Sequence, residues 1–480
     1  MRSAREQQRE LFSYADIEKL VPKNHLLRYI DRYVDFRFIY ELVDSLYSDT
    51  TGRPAWDPQM MVKLFLLGYL YNMSERRLLD EVSMHAAYRW FLGLTFSDPL
   101  PDRTTLVKLR TEKWAKIGAF DQILERVVDQ CVQAGLVKGR HLTVDGTQIM
   151  ANASVKSLEP LVVPYSPAEY LDELRAPSSP SEPEPPTHTP DKNLPHSSHP
   201  EDKNFRGEKL SNQTHRSSTD PDARLYRKSN GQDAALSFLG SYLADTQSRV
   251  ILAVQAGTPG IHTESGMAIK MLDSLDSRGM LDPVKILTAD AHYGNTEFLC
   301  ALDDREIIPH TPLLFGAAPE KPPTWVQPPA DQIQYRRRQQ RIREIEVRNQ
   351  ARETIQTTGY LVSQKLRKRS EHLFAEAKVC HGLRRARARG LERMQEQLAC
   401  TATVQNIKRF VSFCIRRDRT SDAKRLSTLG LLLSWASNTS RFCFSLVLYL
   451  FSGRFFLPVR RFAFLISNSF VTVTPFSPDF

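Results

Sequence analysis

The chain has 480 residues, of which 41% are hydrophobic and 25% are charged. This balance belongs to a globular protein with enough apolar side chains for a core, and it excludes collagen-like, coiled-coil and wholly disordered chains. Lysine and arginine together number 65 against 55 acidic residues, so the formal charge is +10. A positive excess indicates an anionic partner where it is concentrated in one part of the chain.

Residues 1–125 are predicted to form an all-helical N-terminal domain. Pro58 occupies a first-turn position of a helix, and Ser74, Ser83 and Asp102 are candidate N-caps of later helices. Basic and aromatic side chains lie among these helices. The residues alone therefore leave two interpretations open: a small DNA-binding bundle, or an ordinary bundle whose aromatic side chains fill the core.

The pattern changes to that of an α/β domain from residue 126. Residues 141–150 are rich in β-branched side chains and predict a strand, so residues 126–157 begin the domain. Residues 158–217 are predicted to be a disordered Pro/Ser-rich insertion. Eight prolines fall within residues 176–200, and such a composition cannot form a packed core.

Strands and helices alternate again over residues 218–315, the predicted remainder of the core sheet. The first two of the four predicted strands are close enough in the chain to pair as a hairpin. The four strands span residues 235–244, 250–257, 284–289 and 307–311. The helices between them span residues 263–276 and 295–305. This alternation predicts helices packed around one sheet.

The last third of the chain has three predicted parts. They are a Pro-rich connector (316–330), a basic helical region (331–420) and an apolar, Phe-rich tail of unassigned fold (421–480). Residues 335–393 carry 17 basic and 6 acidic side chains, so the rest of the chain is close to neutral. A concentrated excess of this kind is typical of a surface that binds a polyanion, and the alternative is a solvated helix face.

The sequence predicts a cytoplasmic protein without a membrane segment. The first residues are charged and lack the apolar run of a signal peptide. The longest uncharged apolar run near the end, residues 442–453, is shorter than the roughly 20 residues that a spanning helix needs. The six cysteines include no Cys-x-x-Cys pair, which fits a reducing compartment.

Three acidic residues stand where catalysis favours them. Asp145 interrupts a predicted strand, Asp290 follows the end of another strand, and Glu371 lies on a predicted helix within the basic stretch. An acid inside a strand costs free energy unless it is paired or binds a cation. Taken singly, however, each of these residues also fits a turn, a cap or a surface position.

The helix that carries Glu371 has one polar face. Arg367 and Lys378 fall within about 40° of Glu371 around the helix axis, and an apolar stripe on another side could pack against a sheet. The stripe consists of Val362, Leu366, Leu373 and Ala377. The alternative to a functional face is a row of surface ion pairs, which are common on helices.

A divalent metal would explain two aspartates and a glutamate in one pocket. Converging carboxylates repel unless cations keep them ionised, and Mg²⁺, with Mn²⁺ as the alternative, prefers oxygen ligands. Two ions about 4 Å apart could stabilise the attacking and departing oxygens of a phosphoryl displacement. The basic side chains near Glu371 would then contact the phosphates of DNA.

Several landmark segments follow one another between residues 12 and 410. They are VPKNHLLRYIDRYVDF, GRPAWDPQMMVKLFLLGYLYNMSERRLLDEV, YRWFLGL, PDRTTLVKLR, TVDGTQIMANAS, STDPDAR, ADAHYG and NIKRF. In this order they resemble a DDE transposase of bacterial insertion sequences. The likeness is closest to the group named for insertion sequence 1182, within the assemblage around insertion sequences 4 and 5.

The resemblance implies a fold and a catalytic site. The fold is an α/β catalytic core, ribonuclease-H-like, with a mixed five-stranded sheet and helices, preceded by the all-α N-terminal domain. The catalytic residues, and the ligands of two metal ions, would be Asp145, Asp290 and Glu371.

The helix of Glu371 is similar to the family's acid helix, which carries Tyr, Arg, Glu and Lys at set spacings. Arg367, Glu371 and Lys378 match those spacings. Gln364 stands at the tyrosine position, and the nearest tyrosine is Tyr360. The DNA contact that the family assigns to this tyrosine is therefore not carried over.

The resemblance also implies DNA as the partner. The N-terminal domain is expected to bind the element's terminal inverted repeats, and the protein would be nucleoid-associated when bound. A homodimer on DNA is expected because two ends must be held together. The expected DNA-binding residues are Arg367, Lys378, Arg384, Arg385, Arg387 and Arg389.

The function that the sequence predicts is metal-dependent DNA transposition, with cleavage at the transposon ends followed by strand transfer into target DNA. The alternative is an inactive, transposase-derived DNA-binding protein, to which the unusual tail points. A third interpretation, a structural metal-binding α/β protein, predicts no affinity for DNA.

Overall fold

The computed structural model describes residues 16–47, 55–161, 210–228, 233–316, 318–322 and 332–451, with side chains as far as residue 421. Residues Met1–Cys414 form one compact unit, and Ile415–Phe480 form a second. All predicted site residues belong to the first unit. The middle of the predicted insertion, most of the predicted connector and the end of the predicted tail lie outside the described residues.

Helices fill the N-terminal region, as predicted. They are α1 (Ile17–Leu20), α2 (Leu26–Tyr33), α3 (Phe38–Val43), α4 (Pro58–Leu70), α5 (Glu75–Met84), α6 (Ala86–Phe91), α7 (Arg103–Lys108) and α8 (Ala119–Gln133). The rings of Phe65, Trp114 and Phe120 pack together with centroids 5.6–5.7 Å apart. Aromatic side chains therefore do fill a core here.

Two of the three predicted N-caps are confirmed. Ser74 Oγ accepts a hydrogen bond from Arg77 N, and Asp102 Oδ1 accepts one from Thr104 N. The prediction for Ser83 is wrong, because Ser83 lies within α5. Its hydroxyl donates to the carbonyl of Asp80, one turn earlier, instead of accepting at a helix start.

One mixed sheet forms the centre of the first unit. Its strands are β1 (His141–Met150), β4 (Arg224–Tyr226), β5 (Ala235–Asp245), β6 (Ile251–Gly257), β7 (Ile286–Thr288) and β8 (Ile308–His310). The order across the sheet is β6, β5, β1, β7, β8. β5 is antiparallel to β6 and β1, whereas β7 and β8 run parallel to β1.

This five-strand arrangement confirms the ribonuclease-H-like core, and the hairpin of β5 and β6 is also confirmed. The sheet has one strand more than predicted. The short β4 pairs with Ala235–Ser237 at the start of β5, on the edge that β6 leaves free. Its three residues carry no alternating pattern, so only the pairing across to β5 makes them a strand.

Five further helices belong to the core and to the region after it. They are α9 (Glu264–Ser277), α10 (Thr296–Asp303), α11 (Gln332–Ile355), α12 (Thr358–Cys380) and α13 (Leu391–Phe451). A Cβ atom on Gly240 of β5 would lie 3.1 Å from Leu398 Cδ1, so α13 lies very close to the sheet. Asp220 and Asp222 accept hydrogen bonds from Gly390 N and Leu391 N, which fixes the start of α13.

The predicted insertion differs from its prediction at both ends. β2 (Leu158–Pro160) and β3 (His215–Ser217) pair antiparallel as a separate two-stranded sheet. The hydroxyls of Ser157 and Ser217 are 2.7 Å apart and strengthen this ladder. Residues 162–209 lie outside the described residues. No helix in the described part of the chain is both long and apolar enough to cross a bilayer.

Candidate active site

Asp145 lies within β1, and Asp290 lies two residues after the end of β7, the neighbouring parallel strand. The ladder between β1 and β7 pairs Thr143 with Thr288, and each aspartate lies two residues further along its own strand direction. Asp290 then caps the short turn of helix at Ala291–Tyr293, where its Oδ1 accepts a hydrogen bond from His292 N at 2.9 Å. The ladder ends here, so the two strands separate beside the two carboxylates.

Gln364 fixes α12 across the ends of β7 and β8. Its side-chain amide donates to the carbonyl of His310 at 2.6 Å and to the carbonyl of Ala289 at 3.3 Å. Its Oε1 accepts from Arg367 Nε at 3.3 Å. The residue that replaces the family's tyrosine therefore docks the acid helix next to Asp290 and orients Arg367.

The carboxylate of Asp145 is in electrostatic contact with both other predicted acids. Burial raises the pKa of Asp145 to about 6, and the charges of Asp290 and Glu371 act in the same direction. The guanidinium of Arg367 and the backbone N–H of Gly146 oppose that rise. Residues from β1, from the end of β7 and from α12 thus act on one carboxyl group.

Glu371 is exposed, and its carboxylate makes no hydrogen bond or ion pair with the described residues. The apolar stripe predicted for α12 is only partly correct. Leu373 and Ala377 are buried, but Val362 is 57% exposed. The first turns of α12 pack on β8 through Tyr360 and Ser363 instead, and Ser363 Oγ hydrogen-bonds His310 Nδ1 at 2.6 Å.

Two charged residues near the acids were missed by the sequence analysis. Glu264 is the first residue of α9, and a Cβ atom on Gly146 would lie 3.3 Å from its carboxylate. Lys228 is exposed, and its charge acts on both Glu264 and Lys378. Glutamates after a threonine cap and lysines after a short strand are common in proteins. The sequence pattern therefore did not indicate that Glu264 and Lys228 lie near the site.

Lys378 forms a cationic cluster with Lys228 and Arg384. Burial lowers the pKa of Lys378, and the charges of Lys228 and Arg384 act in the same direction. Like charges repel, so their proximity favours an anionic ligand such as a phosphate. This cluster contains two of the residues predicted to bind DNA.

The loop between α12 and α13 carries the other predicted arginines and is attached to β1. Met150 N donates to the carbonyl of Arg384 at 3.1 Å, and Ala386 N donates to the carbonyl of Met150 at 2.8 Å. The side chains of Arg384, Arg385 and Arg389 are exposed. Met150 lies roughly 17 Å from Asp145 along the strand, within the length of a short DNA segment.

Arg387 differs from its neighbours because protein acceptors surround its guanidinium. Nη1 and Nη2 donate to the carbonyls of Gly68, Met73 and His381 and to Asn72 Oδ1, over 3.1–3.4 Å. The guanidinium also lies 4.3 Å from the centre of the Tyr69 ring. Arg387 is therefore the least available of the predicted DNA contacts.

The basic charge of α11 is partly neutralised by acidic neighbours. Arg343 pairs with Asp303 and Asp304, and both Arg348 and Arg352 pair with Glu320. Hydrogen bonds from Arg348 and Arg352 lower the pKa of Glu320 to about 2. The second half of α11 is thus an ion-paired surface that packs on α10. Three arginines of its first half are exposed: Arg336, Arg337 and Arg341.

A cavity of about 700 Å³ lies away from the acids, beside the turn between α4 and α5. Its lining includes Arg76, Arg103 and Arg110. Arg110 is paired with Glu75 and Glu396. DNA lies along a surface instead of entering a cavity, so cavity size does not identify the site.

The acidic residues fit hard divalent cations by their chemistry. Carboxylate oxygens are the ligands that Mg²⁺ and Mn²⁺ prefer, and Glu371 has its oxygens free of described partners. Within the described residues, no three acidic, histidine or cysteine side chains are already grouped closely enough to hold a metal. Binding would therefore require side-chain rotations, which the exposed Glu371 can make.

Two comparisons with known families agree with this architecture. Residues 15–112 match the family described as Transposase domain (DUF772), and residues 240–407 match the family described as Transposase DDE domain. The second match contains Asp290 and Glu371, whereas Asp145 precedes it. No solved structure gives a significant match to the chain. Carried in this order on one chain, the two domains indicate a DDE-type transposase of the insertion-sequence kind.

Proposed function

We propose that this transposase cleaves DNA at the ends of its element and joins the freed ends to target DNA. The observation that carries the proposal is the ladder that ends β7 beside Asp145, two residues before Asp290, where Gln364 docks the helix of Glu371. Carboxylates gathered this way repel one another unless cations compensate them. The insertion sequence 1182 group is the one to which we assign the chain, on its landmark segments.

Asp145, Asp290 and Glu371 would hold two Mg²⁺ or Mn²⁺ ions, with Asp145 shared and the other two acids completing one ion each. Such ions supply activation of the attacking oxygen and stabilisation of the leaving oxygen of a phosphodiester. Water would be the nucleophile in cleavage, and the freed 3′-hydroxyl would be the nucleophile in joining. The protein itself would form no covalent bond to DNA.

The cationic groups around the acids would bind and orient the DNA backbone. Arg367 lies beside Asp145, and Lys378 and Arg384 form the cluster with Lys228. Arg385 and Arg389 extend the same side of the loop, and Arg387 would contribute mainly by holding that loop. The N-terminal domain would bind the terminal inverted repeats, and a homodimer would hold two ends together.

A nicking assay tests the proposal. The full chain is incubated with labelled duplex carrying an element end, with Mg²⁺ or Mn²⁺. Asp145→Ala, Asp290→Ala and Glu371→Ala should each abolish nicking while end binding is retained. Asp282→Ala, in an exposed turn before β7, serves as the control and should nick normally. Undiminished nicking by any of the three site variants would exclude that residue.

The alternative, an inactive DNA-binding protein, is favoured by the composition of the tail. Residues 423–478 contain no acidic residue, unlike any other stretch of this length in the chain. Specific binding of an element end without nicking, at any concentration of Mg²⁺ or Mn²⁺, would select this alternative.

A further inference from the structure

A fourth carboxylate reaches the site from the opposite face of the sheet. Asp145 and Tyr242 are directly paired across β1 and β5, so their side chains share a face, and the Tyr242 ring stacks on Phe374 of α12. The next residue, Gly146, therefore faces the other side. There, a Cβ atom on Gly146 would lie 3.3 Å from both Cδ and Oε1 of Glu264.

Because β1 and β7 separate beside Asp145, side chains from both faces of the sheet can approach each other there. The ladder between β1 and β7 ends at Thr143 and Thr288, so no β7 residue is paired beside Asp145. Glu264 can therefore act on Asp290 around the edge of β1. Burial raises the pKa of Glu264, the charge of Asp290 adds to that rise, and His292 and Lys228 oppose it.

Glu264 has no partner that would explain its position. Its carboxylate is partly buried and makes no hydrogen bond or ion pair with the described residues. The start of α9 favours a negative charge, but Thr263 already caps this helix by accepting from Gly266 N at 3.0 Å. A partly buried carboxylate without a donor or a cation is costly, so a missing ligand is indicated.

A buried hydroxyl next to Glu264 indicates the same. Tyr293 is fully buried, and its hydroxyl interacts with that of nearby Ser241, but neither hydroxyl makes a well-formed hydrogen bond with the described residues. Tyr293 Oη would lie 3.5 Å from a Cβ atom on Gly146, directly beside the Glu264 carboxylate. The charges of Glu264, Asp145 and Asp290 all act on this one hydroxyl. The Tyr293 hydroxyl is therefore within electrostatic reach of all three acids.

We propose that Glu264 is a fourth acidic residue of the active site and binds, directly or through a water molecule, the divalent cation shared by Asp145 and Asp290. The inference rests on the proposed function, because it assumes that those acids hold a cation. It gives that cation a ligand from each face of the sheet. It also explains Gly146, since any side chain there would press on the Glu264 carboxylate.

Mn²⁺ titration of the metal-free full chain by calorimetry tests the inference without relying on catalysis. Glu264→Gln should weaken the tighter Mn²⁺ binding by about tenfold or more, the size of effect expected for a supporting ligand. Glu297→Gln is the control, because Glu297 is also a first-turn glutamate, on α10, but its side chain is exposed. It should leave Mn²⁺ binding unchanged.

A second variant guards against a folding defect in the first. Gly146→Ala removes no acid, but its Cβ atom would push the Glu264 carboxylate by a few tenths of an ångström, so it should also weaken Mn²⁺ binding. Unfolding temperatures in EDTA should show that both variants are folded. Wild-type affinity in Glu264→Gln would overturn the inference, as would wild-type affinity in Gly146→Ala if Glu264→Gln does not fold.

Nicking by the wild-type chain, measured in parallel, separates this inference from the proposed function. If the wild-type chain nicks DNA and Glu264→Gln binds Mn²⁺ as tightly as the wild type, Glu264 is not a metal ligand and the proposed function stands. If Glu264→Gln binds Mn²⁺ more weakly but the wild-type chain does not nick DNA, Glu264 is a metal ligand and the proposed function is wrong. A wild-type chain that neither binds Mn²⁺ nor nicks DNA overturns both.

Discussion

Asp145 combines a position in a central strand with a negative charge. Burial raises its pKa from the ordinary value of 3.8 to about 6, with Asp290 and Glu371 adding to the effect and Arg367 opposing it. In the metal-free chain the ionised carboxylate therefore destabilises the fold. That cost is nearly complete above pH 6, shrinks as the pH falls, and is absent below about pH 3.

Asp145→Asn should consequently stabilise the metal-free chain at pH 7 to 8, by up to roughly 3 kcal/mol. The gain should disappear at about pH 3, because Asp145 is then neutral in both the folded and the unfolded chain. Urea unfolding in EDTA across this pH range measures the difference. Asp282→Asn, at an exposed position, should show no gain in stability. If the gain for Asp145→Asn did not depend on pH, the raised pKa of Asp145 would be contradicted.

Gln364 shows how one residue can depart from a family pattern and still serve the site. Its amide holds the carbonyls of Ala289 and His310, which lie at the ends of β7 and β8. Its remaining oxygen orients Arg367. A sequence pattern records only that the tyrosine is missing, whereas the contacts show that the position supports the acid helix.

The element that completes the core is α13, which bonds to β6 through side chains. Asn406 Oδ1 accepts from Ile251 N at 2.8 Å, and its Nδ2 donates to Ile251 O at 2.7 Å. Gln395 Oε1 accepts from Ala256 N at 2.7 Å. Further along, Lys408 and Arg409 pair with Glu376 of α12. The landmark segment NIKRF is thus the region that attaches α13 to both the sheet and the acid helix.

Asn406→Leu should destabilise the folded chain by about 2–4 kcal/mol. Leucine has a similar volume, but it leaves both backbone groups of Ile251 without partners in a buried place. The free energy of unfolding in urea measures the loss. Glu392→Gln, exposed at the start of the same helix, should stay within about 0.5 kcal/mol of the wild type. A similarly small effect for Asn406→Leu would mean that water replaces these hydrogen bonds.

At the scale of the whole first unit, Arg387 joins the N-terminal helices to the loop that follows α12. Arg387→Ala should lower the free energy of unfolding by about 3 kcal/mol, because it removes the side-chain donor to the carbonyls of Met73 and His381 and leaves Gly68 O with only the bond from Met73 N. Arg387→Lys should recover little of this loss, since an ammonium group cannot reproduce the planar set of donors.

Arg389→Ala is the matched comparison, two residues along the same loop. Its side chain is exposed, so stability should change by less than about 0.5 kcal/mol while affinity for DNA falls. The slope of log affinity against log salt should shrink by about one unit. Reversed behaviour of the two arginines would show that Arg387, and not Arg389, faces the DNA.

The sequence was sufficient for elements whose residues carry their own pattern. β1, β5 and β6 begin and end within one residue of their predicted limits, because each is a run of mostly apolar or β-branched residues bounded by polar residues. The sequence was insufficient for elements that form only because they pair with another segment of the chain. The strands β2, β3 and β4 have three residues each and exist only by pairing. Spacing alone also could not separate the clamped Arg387 from the exposed Arg389, or reveal that Glu264 crosses to the site.

The small ladder of β2 and β3 makes the middle of the chain modular. The chain leaves this ladder after Pro160 and enters it again at His215, and these two residues are paired with each other. The entropic cost of closing a loop grows only logarithmically with its length, so an inserted segment of very different length could connect β2 and β3. Grafting a reporter or an affinity module between these two points would leave the strand of Asp145 anchored as before.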